Sequence, residues 1–95
     1  MKKINFYIGA NNTTKIVEKD KAKKIVSEYY EGMSIMEIEG VWKSENENSI
    51  IIFVMCEKVD YTLVKTVCKK LNTELDQQAI MVEILDSNAL FISDR

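Results

Sequence analysis

The run Ile50-Ile51-Ile52-Phe53-Val54-Met55 constrains this chain most, because six successive apolar residues in a strand make both of its faces hydrophobic. A strand of that kind belongs in the middle of a sheet and needs cover on each side. A chain of 95 residues has room for one core, so the expectation is a single domain over residues 1–95.

The flanking sequence supplies the remaining elements. Ile4, Phe6 and Ile8 alternate with Asn5, Tyr7 and Gly9, the period of a half-buried strand. Residues 9–14, Gly-Ala-Asn-Asn-Thr-Thr, are turn formers and read as a loop, with Ile16 and Val17 expected to pin it down. Ala22, Ile25, Val26 and Tyr29 then recur at helical spacing, with Lys19, Lys21, Lys23 and Lys24 off the stripe, which predicts a helix over 18–30 stopped by Gly32. Residues 33–42 alternate again as an edge strand, with Met36, Ile38 and Trp42 opposite Ile35, Glu37, Glu39 and Val41. A polar turn over 44–48 leads into the apolar run. Asp60 is placed to cap a second helix carrying Val64, Val67, Cys68, Leu71 and Leu75. Residues 77–85 set Ala79, Met81 and Glu83 against Gln78, Ile80, Val82 and Ile84, a fourth strand, and Ala89, Leu90, Phe91 and Ile92 form a short extra strand or an apolar tail.

The order βαββαβ predicts an α+β, ferredoxin-like domain: a four-stranded antiparallel sheet with two helices on one face. Asn5, Tyr7, Glu37, Glu39, Met81, Glu83 and the surplus apolar residues of 50–55 are then expected on the other face. That mixture predicts self-association as a homodimer or higher oligomer, with the tail adding to an edge strand of its own or a neighbouring subunit.

Histidine is absent, which excludes Ser-His and Cys-His triads and the commonest zinc sites. Glycine-rich phosphate loops, nucleophile elbows and paired-cysteine metal motifs are missing as well. Cys56 and Cys68 have no metal or disulfide-framework spacing and are expected to be reduced core thiols. A formal net charge of −2 gives no general attraction for nucleic acid or membrane, and no apolar run reaches bilayer length, so a cytoplasmic protein is expected. These exclusions lead to the expectation of a binding module that is not an enzyme, with no cofactor and no metal. Glu37, Glu39 and Glu83 keep one route to acid–base chemistry open.

Candidate ligand contacts are Asn11, Asn12 and Thr13 of the first loop, whose backbone N–H, amide and hydroxyl groups suit phosphate or ribose. Tyr7 joins them from the face opposite the helices. Trp42 followed by Lys43 pairs an aromatic face with a cation; Trp42 fits the core, an oligomer interface or stacking on a base. The first helix's lysines, with Lys69 and Lys70, make either a basic surface for an acidic partner or a solvated face.

FYIG at 6–9, Val17, EGMSI at 31–35, GVW at 40–42 and LDQQ at 75–78 carry a resemblance. The chain resembles short proteins of bacteria, phages and prophages that share a YFG, a GxW and a phenylalanine-x-glutamine motif. It departs from them with Leu75 in place of the aromatic and without a basic residue after the tryptophan's strand turn. The resemblance implies a βαββαβ domain and little about activity; a phage or prophage setting suggests, by analogy with other small oligomeric phage proteins, that the chain sequesters a nucleotide-like host signal as an anti-defence protein. The alternatives are an ACT-like small-molecule regulatory domain, and an inhibitor of a host protein acting through a sheet edge or the basic helix face.

Overall fold

A computed structural model describes residues 1–93 of the chain. Strand β1 (Lys2–Ile8) leads through the loop to helix α1 (Lys19–Ser27), followed by β2 (Ser34–Trp42), β3 (Glu45–Cys56), α2 (Tyr61–Glu74) and β4 (Met81–Asp86). The strands form one antiparallel sheet in the order β2-β3-β1-β4, the ferredoxin-like arrangement that the pattern predicted.

The sequence explains why one face closes. Ile4, Phe6 and Ile8 of β1 and Ile50, Ile52 and Val54 of β3 share a face by register. They pack with Ala22, Ile25 and Val26 of α1 and Val64, Val67 and Leu71 of α2 into one core, in which Phe6, Ile52, Val67 and Leu71 are fully buried. Asp60 caps α2 by accepting from Leu63 N–H at 3.0 Å. The helix ends at Leu75, beyond which Asp76 takes a left-handed conformation (φ 50°) where a glycine would be usual.

Two expectations about β2 and β3 change. The polar stretch 44–48 is not a long turn: Lys43 and Ser44, both at positive φ (49° and 64°), make a two-residue turn, and β3 starts at Glu45. Ile50 pairs with Ile8, so residues 45–49 and their β2 partners run past the end of β1 as a hairpin arm. Glu37 is not on the open face. It pairs with Ile50 in register and meets Lys19 of α1 at 3.0 Å, which puts it on the helix side. Both alternating sets of β2 contain apolar residues, so alternation alone leaves its orientation undecided.

The face away from the helices carries Tyr7, Asn5, Ile51, Phe53, Met36, Ile38, Met81, Glu83 and Leu85, and no second layer covers it. Ile51 is nonetheless only 9% exposed, because its register neighbours Met36 and Tyr7 flank it and Met81 extends the row. Lys3 lies over the Phe53 ring at 4.3 Å and shelters it further. Residues 89–92 form no strand, and Leu90, Phe91 and Ile92 are among the most exposed apolar residues. No helix is long and apolar enough to cross a membrane among the described residues.

Phe6→Ala should cost about 3–5 kcal/mol of stability, as expected for an aromatic at the centre of a closed core. The double change Lys43→Asn with Ser44→Gly should raise stability by about 0.5–1 kcal/mol by relieving two left-handed residues. Urea denaturation midpoints check both.

Candidate active site

The loop after β1 is built by its own side chains. Asn11 is buried, its Oδ1 accepts from the N–H groups of Thr13 (2.8 Å) and Thr14 (3.0 Å), and its amide nitrogen reaches Glu18 at 3.4 Å. This amide therefore shapes the loop, an Asx-type turn, and is not directed at open space. Thr13 donates its hydroxyl to Asp76 at 2.6 Å, and Asn12 N–H donates to the Asp76 carbonyl at 3.1 Å. Val17 packs on the core while Ile16 is 63% exposed, so only one of the two expected pins holds.

Gln77 ties the loop to the end of α2. Its Oε1 accepts from Gly9 N–H at 3.2 Å, and its Nε2 donates to the carbonyls of Ala10 (2.9 Å), Gly9 (3.3 Å) and Leu75 (3.3 Å). A side-chain amide thus replaces a strand at the point where β1 ends. Sequence reasoning gave Gln77 no function, although its place in the LDQQ motif marked it.

A cleft of about 890 Å³ opens between this loop and the hairpin arm, lined by Gly9, Asn12, Gly40, Trp42, Ser49 and Gln77 among others. Gly40 is required where the arm closes, since a Cβ there would stand 3.2 Å from the Glu47 carbonyl oxygen. Trp42, 63% exposed, is not core; it forms part of the cleft wall, with the Lys43 ammonium 5.9 Å from its ring. Asn11, Asn12 and Trp42 are thus brought together at one cleft, whereas Thr13 and Lys43 do not line it.

Tyr7 lies two residues before Gly9 on the strand, so its side chain shares a face with Gly9 about 7 Å along. Tyr7 does not line the cleft itself, which reaches the end of β1 at Gly9; the open sheet face begins beside it. There the phenol donates to Glu83 Oε1 at 3.0 Å and Asn5 Nδ2 donates to the same oxygen at 3.1 Å. Both bonds fall on Oε1, leaving Glu83 Oε2 without one among the described residues, and among them the buried Asn5 Oδ1 has no partner either. The amide orientation follows from electrostatics, because turning it would set its oxygen against the carboxylate. The Glu83 bond comes first among the causes that push the Tyr7 phenol above its ordinary pKa, followed by partial desolvation.

Other charged groups are engaged elsewhere. Lys70 meets Glu28 at 2.8 Å, Lys21 donates to the Glu74 carbonyl, and Lys2 pairs with Asp86. Three lysines of the expected basic surface are therefore tied to the fold itself, Lys19 among them. Burial raises the Cys68 thiol, which opposes a thiolate role, and both cysteines are free. Among the described residues no cluster of three acidic, cysteine or histidine side chains is placed to hold a metal ion.

Comparison with known proteins gives a fold neighbour. No family model matches the sequence, and no curated protein matches it. Among solved structures the chain is similar to a phage SAM lyase in its apo state, with a TM-score of 0.68, 20% identity, and coverage of 88% of this chain and 78% of that one. At that identity the likeness shows the fold. It also corrects the expectation that this chain is not an enzyme: a phage enzyme uses the same frame, so neither the architecture nor its small size argues against catalysis.

The phenol–carboxylate bond has a signed pH dependence. It needs the phenolic proton, so its contribution is complete below the ordinary tyrosine pKa near about 10 and is lost as pH rises through the raised folded-state value. Ultraviolet titration of Glu83→Gln should show this tyrosine ionising earlier than in the parent. Gln77→Leu should cost about 1–3 kcal/mol by leaving the Gly9 and Ala10 groups unpaired, measured by thermal unfolding.

Proposed function

We propose that this chain is an enzyme that cleaves S-adenosylmethionine, with Glu83 and Tyr7 at the reacting centre and the adjoining cleft receiving the nucleoside. The observation that carries this reading is the Asn5–Tyr7–Glu83 cluster: an oriented carboxylate with one free oxygen, set on an apolar sheet face in a fold that a phage SAM lyase shares.

The chemistry suits such a surface. A lyase breaks the carbon–sulfur bond without water, the bonding pair goes to sulfur, and a neutral thioether leaves. The four-carbon fragment balances this either by losing its β-proton to a carboxylate or by closing on its own carboxylate. Each route cancels a positive sulfonium against a negative oxygen. A surrounding of low polarity favours a transition state in which charge is being annihilated; Met81 and Leu85 flank Glu83 on its own strand, and Phe53 lies beyond Asn5 in the same row. Glu83 Oε2 is the base in the first route and the anchor for the substrate ammonium in the second. Tyr7 and Asn5 fix its position. Neither route needs histidine, a metal or an enzymic nucleophile.

Trp42 and the amide groups around Gln77 supply a stacking face and hydrogen-bond partners for adenine and ribose. A phage protein of this kind would act against host defence by destroying a nucleoside-bearing metabolite, which keeps the nucleotide-like ligand expected from the sequence but replaces sequestration with turnover.

Incubation with S-adenosylmethionine, followed by chromatography, should show its loss and the appearance of a thioether nucleoside. Glu83→Gln and Tyr7→Phe should each lower the rate by about 10²-fold or more while leaving the unfolding temperature close to that of the parent. Binding without turnover, or full activity in Glu83→Gln, would sink the reading.

A further inference from the structure

The outer edge of β4 and the apolar tail are each uncovered, and each has what the other lacks. β4 pairs with β1 from Lys2↔Asp86 to Tyr7↔Met81 and ends the sheet, so its other edge presents unpaired backbone groups. Proteins usually blunt such an edge with lysine, proline or a bulge. The sequence Met81-Val82-Glu83-Ile84-Leu85-Asp86 has neither residue, and its register with β1 is unbroken. Its two acids are both engaged toward β1, Glu83 by Asn5 and Tyr7 and Asp86 by Lys2.

Both sides of this edge are hydrophobic. On the helix side, Val82 and Ile84 floor a groove of about 480 Å³ whose wall is Tyr61, Val64 and Cys68 of α2, with Lys65 and Lys69 also lining it. Asn72 also lines it, and its buried Oδ1 has no hydrogen-bond partner. On the open side, Met81 and Leu85 are 60% and 41% exposed. A strand that fits here must be apolar on both faces and must offer N–H groups.

Residues 89–92, Ala-Leu-Phe-Ile, meet that requirement. Leu90, Phe91 and Ile92 are 80%, 88% and 85% exposed, the three most exposed large apolar side chains described. As a strand they span about 13 Å, against about 20 Å for β4. Leu90 and Ile92 would lie on one face and Phe91 on the other. The chain's own path leads away from this edge: Ser87 N–H donates to the Met1 carbonyl at 2.9 Å, extending the ladder on the β1 side. Return to its own β4 would require a reversal within Ser87 and Asn88, directly after the residue whose N–H is held on the β1 side.

We propose that residues 89–92 of one copy add as a strand to the free β4 edge of a second copy, Leu90 and Ile92 entering the groove beneath α2. The exchange is reciprocal and closes a two-fold dimer. It stands independently of the assignment of catalysis.

Light scattering on the full-length protein at micromolar concentration tests this, together with hydrogen exchange of the segment 81–86 as a function of concentration. The parent should be a dimer whose 81–86 amides gain protection on association. Leu90→Asp with Ile92→Asp should weaken the dimer by roughly tenfold or more while circular dichroism and the unfolding temperature of the dissociated protein stay unchanged. Leu85→Lys, on the acceptor edge, should do the same. A monomeric parent would overturn the proposal. So would a dimer indifferent to the tail variant, or protection of 81–86 independent of concentration, which would mean that the tail lies on its own edge.

Discussion

A single sheet has two faces, and two helices of 9 and 14 residues shelter only one of them. The core therefore forms between Phe6, Ile52, Val26 and Leu71, while Ile51, Phe53 and Met36 are left on the other face. Neighbouring side chains partly close over that second face, which is why Ile51 is nearly buried without any element above it. The same arrangement places a carboxylate among weakly polar neighbours. Of the Asn5–Tyr7–Glu83 cluster, Asn5 is buried while Glu83 is exposed, so the carboxylate is held from the sheet side and open on the other.

The position of the cleft depends on a local decision at the end of β1. β3 continues beyond Ile8 to pair with β2, and the loop after β1 turns aside under the control of Asn11 and Gln77. Were that loop to continue as a strand, the hairpin arm would have a partner and no cleft would exist. Four residues in the left-handed region shape the loop and the ends of these elements, Lys15, Lys43, Ser44 and Asp76, and none of them is glycine. At Asp76 the strain is offset, since its carboxylate accepts from the Thr13 hydroxyl and its carbonyl from Asn12 N–H.

Much of this was legible in the sequence. The two helical stripes, the Asp60 cap and the alternation in the first strand are short-range patterns, and they fix the order of elements and hence the ferredoxin-like plan. Asn12 was legible as a surface residue because a polar loop favours the surface, whereas Trp42 was left open between core, interface and stacking, since its burial depends on how far the hairpin arm runs past β1. Asn11 was legible as a residue of interest but not in its role, since an amide that caps its own loop and one that binds a ligand look alike in one dimension. Glu37 was assigned to the wrong face because β2 carries apolar residues on both alternating sets. The inference against catalysis is corrected on a different ground: it weighed missing motifs for nucleophiles and metals, and a phage enzyme shares this fold.

By itself the sequence determined the order of strands and helices and the apolar side of β1 and of both helices, because those properties depend on neighbours within a few residues; the facing of β2 it left open. Only the tertiary structure decided that Glu83 meets Asn5 and Tyr7, 78 and 76 residues away along the chain. That meeting depends on the register of β1 with β4, and a shift of one residue would have turned the carboxylate to the helices instead.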